Sequence, residues 1–346
     1  MATILIGIAD PHWADKRPGS RRDDFRATQQ RKMADVVKLG ARLNIDGQAQ
    51  EAQGICVAGD LFHQNEGQRI DRRLDTQLAK TLNDSLCPWF AIPGNHDMKN
   101  NRLDSLSSHP MGTLAAAGLL TITLWPDYEI VRGPNEGDPP VIITGREYTT
   151  EGPGRWLEHM ASTGDLRKLK EEIGAQVLLM THNFWGLQAS VIMGEPVLAH
   201  NSIREIGADI CLFGHPHVFD GEVIVQDSGG QISIVGPGAL LRGTLAEHDI
   251  NRVPKIVVMI FKADGTHEVI FTSIPHEPAE KVFDLESHER QKTQKRVEER
   301  FIKELQSLET RSVKMEDVIV AAEEKTPAAV IQKARSFLTQ AETEIK

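Results

Sequence analysis

The chain has 346 residues and a formal net charge of −10. Hydrophobic residues make up 40 %, enough for a buried core, which excludes a wholly disordered chain. The acidic balance argues against a broad basic nucleic-acid surface but leaves room for a local one.

No apolar run approaches the roughly 18 residues that a membrane helix needs. Met1-Ala2-Thr3 leads straight into a strand-like run without a basic leader. Cys56, Cys87 and Cys211 are odd in number and far apart, and read as small buried hydrophobes. A cytoplasmic protein is expected.

In chain order, Ile4-Leu5-Ile6-Gly7-Ile8 is the first strand and Asp10-Pro11-His12 follows it. The next loop carries Lys16, Arg17, Arg21, Arg22 and Arg26 around Pro18-Gly19. It is the candidate for phosphate contact, although Asp15, Asp23 and Asp24 could instead pair with it. Trp13 could stack on a base or sugar, or cover the edge of the core. Residues 23–43 read as a helix with Phe25, Met33, Val36, Val37 and Leu39 on one face. Residues 44–53 read as a polar loop.

Ile55-Cys56-Val57 is the second strand and delivers Gly59-Asp60-Leu61-Phe62-His63. A second amphipathic helix spans 69–86, with Leu74, Leu78, Leu82 and Leu86 at spacing of four. Trp89-Phe90-Ala91-Ile92 then leads to Pro93-Gly94-Asn95-His96-Asp97. Strands alternating with helices imply parallel pairing through crossovers. Further strands are expected at 119–124 and 141–145, a Gly/Pro-rich loop at 133–140, and a helix at 155–173.

Val177-Leu178-Leu179-Met180 precedes Thr181-His182-Asn183, and Phe184-Trp185 beyond it could wedge nucleic acid or pack structurally. Ile210-Cys211-Leu212-Phe213 precedes Gly214-His215-Pro216-His217. Runs at 222–225, 232–235, 255–261 and 268–274 are expected to form a second, more antiparallel sheet packed on the first. Beyond residue 275 the chain becomes highly charged. Helices are expected over 286–308 and from Thr326-Pro327 onward, with a strand hint at 318–321.

Five apolar runs thus end in metal-ligand residue types. In sheets buried on both faces, ligands gather beyond the carboxyl ends of strands, so five such ends suggest one site. The candidate metal ligands are Asp10, His12, Asp60, Asn95, His182, His215 and His217. Seven ligands exceed one tetrahedral ion and suit two ions sharing a carboxylate, most simply Asp60, roughly 3.5–4 Å apart. Imidazole and carboxylate without thiolate favour Mn, Fe or Zn. Taken singly, each motif is also an ordinary turn signal; their order along the chain is what makes the case.

The series Asp10-x-His12, Gly59-Asp60, Gly94-Asn95-His96-Asp97, His182 and Gly214-His215-x-His217 resembles the calcineurin-like metallophosphoesterase superfamily. Gly59-Asp60-Leu61-Phe62-His63 and the run Pro237-Gly238-Ala239-Leu240-Leu241-Arg242 resemble its SbcD-like DNA double-strand-break repair nucleases. The resemblance implies an α/β fold: a two-sheet sandwich flanked by helices over 1–275, with a small, mainly helical appendage over 276–346. It implies one ion on Asp10, His12, Asp60 and His217, and another on Asp60, Asn95, His182 and His215, usually manganese. Water activated between them would attack phosphorus in line. His96 resembles the general acid and His63 a substrate-facing helper, while Asp97 could hold the His96 ring. Candidate substrate contacts are Arg17, Arg21, Arg22 and Trp13.

Implied partners are DNA, an SbcC-like ATPase docking on the C-terminal helices, and a second copy in a homodimer. The C-terminal region could otherwise cap DNA, or only pack on its own domain. The main alternatives are a cyclic-nucleotide or small-molecule phosphodiesterase or phosphatase on the same site, and a non-catalytic scaffold.

Overall fold

The computed structural model describes residues 2–63, 72–150, 152–186, 188, 190–192, 194–218, 220–228, 230–309, 319–320, 322–323 and 326–344. In the first half, β1 (Ala2–Ile8), β4 (Gly54–Ala58), β5 (Trp89–Ile92) and β6 (Thr121–Ile122) alternate with α1 (Phe25–Ala41), α2 (Arg72–Asn83) and α3 (Pro110–Ala116). The second half places β7 (Glu129–Val131), β8 (Val141–Arg146), β9 (Gln176–His182), β13 (Ile210–Gly214), β14 (Gly221–Asp227) and β15 (Gly230–Gly236) around α4 (Pro153–Thr163) and α5 (Asp165–Ile173). A three-stranded sheet, β10 (Phe184–Gly186), β11 (Ser190–Ile192) and β12 (Glu195–Ala199), inserts after β9. Helix α6 (Glu247–Ile250), strands β16 (Lys255–Lys262) and β17 (His267–Ser273), and helix α7 (Ala279–Val282) follow.

Two six-stranded sheets result, in the orders β17-β16-β1-β4-β5-β6 and β14-β15-β13-β9-β8-β7. The strands after His217 do not form a sheet of their own. β14 and β15 extend the second sheet, whereas β16 crosses to pair antiparallel with β1, Ile6 opposite Val258. Their apolar runs do not specify a partner; the open edge of β1 does.

The sheets pack face to face. Leu5, Cys56, Phe90 and Ile92 of one meet Ile143, Leu178, Met180 and Leu212 of the other. Alternation along each strand sends neighbours to the outer face, where Ile4 and Ile6 meet Met33 and Val36 of α1. On the opposite outer face, Val177 and Leu179 pack with Leu157 and Met160 of α4 and Leu166 of α5. This is the helix-flanked two-sheet sandwich that the motif series implied.

Local differences have local causes. Helix α1 starts later than expected because Asp24 caps it, accepting from the Ala27 amide at 3.0 Å. The stretch read as loop at 44–53 holds a hairpin, β2 (Leu43–Ile45) and β3 (Gln48–Gln50), turned by Asp46-Gly47 with both φ angles positive. The helix expected over 155–173 is two helices, because Gly164 adopts a left-handed φ of 62° between them. The strand at 119–124 is reduced to Thr121–Ile122.

The chain divides into two compact units, Met1–Phe283 and Asp284–Lys346. The second holds α8 (Leu285–Glu309) and α9 (Ala328–Glu344). Ile319, Ile331 and Ala334 form its small apolar cluster, and Lys333 reaches Glu298 at 2.7 Å. Ile319 and Val320 are helical, not extended; residues 318 and 321 of the expected strand lie outside the described residues. No helix among the described residues is long and apolar enough to cross a membrane.

Candidate metal centre

In the first sheet β1, β4 and β5 run parallel, as do β8, β9 and β13 in the second. Five of these strands carry candidate ligands at or just beyond their carboxyl ends: Asp10 and His12 after β1, Asp60 after β4, Asn95 after β5, His182 on β9, and His215 and His217 after β13. Asp10, His12, Asp60 and His217 each bring one ligand atom within 4.8 Å of the others, and so do Asp60, His182 and His215. Asn95 joins the second group, its Oδ1 lying 3.2 Å from His182 Nε2. Asp60 Oδ2 stands between the groups, 3.3 Å from His182 Nε2 and 3.7 Å from His12 Nε2.

The backbone at these positions is strained. Asp10, His12, Asp60 and His215 all adopt positive φ, at 48°, 46°, 49° and 90°. Such conformations cost on the order of 1–3 kcal/mol each and persist only where surrounding contacts hold them. Here the loops after β1 and β4 zip together: the amide of His12 donates to Asp60 O at 3.0 Å, and that of Trp13 to Leu61 O at 2.8 Å. Both oxygens of Asp10 accept from the His215 amide at 3.1 Å, and Asp60 Oδ1 accepts from the His96 amide at 2.8 Å. The run after β15 adds two ties, Ala239 N to His217 O at 2.9 Å and Leu240 N to Ala9 O at 3.1 Å.

The electrostatics suit cations. Burial pushes His12 well below the usual imidazole range and His215 down to about 3, keeping their ring lone pairs free. Burial opposes protonation of His182 too, but Asp60 and Asp10 lift it to about 9. Burial works to raise Asp60, yet His182 and His12 hold it far below the usual carboxylate range, while burial keeps Asp10 raised. Among the described residues, the buried Asp60 Oδ2 and His215 Nε2 have no hydrogen-bond partner. Orphaned acceptors of this kind, converging with neutral imidazoles, fit a pair of divalent ions. Gly94 is required beside them: a Cβ there would lie 2.1 Å from Asp60 Oδ1.

His63 and His96 stand at the open side. Their rings stack with centroids 4.9 Å apart, and His63 Nδ1 lies 3.1 Å from His12 Nδ1. His96 Nε2 is 4.0 Å from Asp60 Oδ2.

Asp97 does not hold the His96 ring. Its fully buried carboxylate accepts the backbone amides of Gly94, Leu61 and Phe62 at 3.0, 3.1 and 3.0 Å, clamping the ends of β4 and β5 together. Trp13 is 1 % exposed and sits in the core with Leu61 and Phe62, so it offers no face to a base. Arg21 is buried as well, paired bidentately with Asp23 and donating to Arg242 O. Arg17 and Arg22 are exposed. Trp185 packs in the core with its indole N–H on Thr181 Oγ1 at 3.1 Å, and Phe184 packs edge-on against His215 at 4.6 Å.

Sequence reasoning missed Tyr148. Its ring lies 5.2 Å from that of His215 and its hydroxyl donates to the Glu195 carboxylate. A usable signal existed: Tyr148 stands two residues beyond the end of β8, another parallel strand of the same sheet.

The model of the calcineurin-like phosphoesterase family matches residues 5–219. Among solved structures, a dimetal phosphatase from Danio rerio is similar at 15 % identity, covering 78 % of this chain and 99 % of that one with a TM-score of 0.45. A cold-active protein-tyrosine phosphatase of a psychrophilic Shewanella species is similar at 13 % identity, covering 78 % and 80 % with a TM-score of 0.29. No curated protein matches the chain. The family match spans all five strand-end motifs and most of the sandwich, and the chain belongs to the calcineurin-like phosphoesterases.

Proposed function

We propose that this phosphoesterase is a dinuclear-metal phosphodiesterase of the SbcD-like kind, cutting DNA during repair or recombination to leave a 5′-phosphate and a 3′-hydroxyl. The observation that carries this reading is the stacked pair His63–His96 at the open side of the metal centre. Two divalent ions bound there, manganese by preference, supply an activated water and neutralise phosphate charge.

Asp10, His12, Asp60 and His217 would hold one ion, and Asp60, Asn95, His182 and His215 the other. His96 protonates the leaving alkoxide, a contribution of roughly 10²–10⁴-fold. His63 steadies the phosphate beside it. Arg17 and Arg22 are the remaining candidates for contact with the strand, being basic and exposed on the loop after the first ligands.

The same reading places the protein in the cytosol with DNA. Its three cysteines support that, all free and buried, with burial raising the thiol pKa of each. It assigns α8 and α9 to an SbcC-like ATPase; Val297 and Val320 are exposed in that unit.

The test incubates the protein with Mn²⁺ and compares linear DNA, single-stranded circles and p-nitrophenyl phosphate. Cleavage of DNA supports the reading. Turnover of the monoester alone removes the nuclease assignment and leaves a small-molecule phosphatase.

A further inference from the structure

Away from the metal ligands, a cavity of about 210 Å³ opens beside α1. Arg21, Arg31, Lys32 and Arg242 line it. Arg21 is neutralised by Asp23 at 2.7 Å. The other three have no carboxylate within ion-pair distance among the described residues. Lys32, 5 % exposed, donates to the Pro275 carbonyl at 2.6 Å. Arg242 donates to the carbonyls of Ile250 and Glu277, and Arg31 to the Thr28 hydroxyl at 3.1 Å. The two acids that line the cavity are paired elsewhere, Asp35 with Lys38 at 3.7 Å and Glu277 with Lys281 at 3.1 Å.

These three basic side chains are held by neutral oxygens around one opening and make no ion pair among the described residues, with Asp35 the carboxylate that bears on Lys32 from a distance. An ammonium has three donors, so Lys32 keeps two for a ligand, and guanidinium forks suit the oxygens of a phosphate. The volume lies below the ~300 Å³ typical of whole small-molecule sites, which fits an ion or the head of a larger ligand. We propose that this cavity binds a phosphate-class oxyanion through Lys32, Arg31 and Arg242, either free phosphate or the terminal phosphate of a mononucleotide. Burial, with Arg242, pushes the Lys32 amine down to about 7. A bound anion reverses that push and restores the full charge.

Phosphate is also a natural ligand of the metal centre, so melting of the full chain is followed with metal loaded and again in excess EDTA. In EDTA, phosphate is expected to raise the wild-type melting temperature by a few degrees over chloride at equal ionic strength. Lys32→Met and Arg31→Gln should each lose that shift. Should Lys32→Met fail to fold, Arg31→Gln decides alone, because Arg31 is exposed. No phosphate shift in the EDTA-treated wild type, an equal shift with chloride, or an undiminished shift in Arg31→Gln overturns the proposal. With the shift established, a larger response to AMP assigns the anion to a mononucleotide, and an equal or smaller one to free phosphate.

Discussion

The Nε2 atoms of His12 and His217 face each other at 2.8 Å, from residues 205 positions apart. Two neutral imidazole nitrogens at that distance repel unless a proton or a cation lies with them. Burial disfavours a charged His12, so the gap takes either the single N–H of one neutral ring or a cation, whose ligand set Asp10 and Asp60 complete around the pair. Replacing His12 by Ala should therefore lower bound metal from two ions to one per chain. Asp60→Ala should lower it further, since its carboxylate serves both groups. Metal analysis after dialysis reads both; two ions retained in Asp60→Ala would refute the shared carboxylate.

If the proposed nuclease reading holds, His96→Ala keeps both ions and loses roughly 10²–10⁴-fold in turnover of DNA. The loss should be much smaller with a p-nitrophenyl ester, whose leaving group needs no proton. Equal losses on the two substrates would assign His96 another role.

Asp97→Ala should act on stability before chemistry. It leaves three buried backbone amides without an acceptor. Each such donor costs about 1–3 kcal/mol, so the variant should lose on the order of 3 kcal/mol or more in urea unfolding. An Asp97→Ala protein as stable as wild type yet inactive would return Asp97 to the chemistry.

Gly94→Ala places a methyl group 2.1 Å from Asp60 Oδ1 and 2.4 Å from Asp60 N. The neighbour is held by backbone and by the His96 amide, so it has no cheap way to move. Loss of metal binding together with a lowered melting temperature is expected. Metal titration of a folded Gly94→Ala chain with unchanged affinity would contradict this geometry.

Lys32 supplies a pH dependence. Its amine titrates near 7 in the folded chain and near 10.4 when unfolded. Between those values the unfolded chain holds a proton that the folded chain lacks, so stability rises with pH across that window. The charged groups that bear on Lys32 are Arg21, Arg242 and Arg252, which lower it, and Asp35, which raises it. Arg31, His276 and Glu277 share its cavity. In phosphate-free buffer, Lys32→Met should gain most over wild type near pH 6 and progressively less toward pH 10. A gain that does not vary with pH, by denaturant titration, would mean the amine stays charged throughout.

The convergence of the candidate ligands was legible because each of them ends or follows an apolar run, and the carboxyl ends of parallel strands meet at one edge. Strand–helix alternation likewise carried the α/β class. Tyr148 obeyed the same grammar yet passed unnoticed, since a tyrosine is not a metal ligand. The basic loop was misleading in part: Arg21 and Trp13 share residue types with nucleic-acid contacts, but packing turned both inward.

Local sequence alone thus determined which residues could bind metal, and in what order the strands deliver them. Only the folded chain decided that β16 joins the first sheet, that Asp97 clamps backbone instead of steering a ring, and that four basic side chains line a cavity beside α1. The reason is physical. Residue type and spacing report what a side chain can do, whereas its partner is set by contacts between segments tens to hundreds of residues apart, and nothing in a local pattern encodes those.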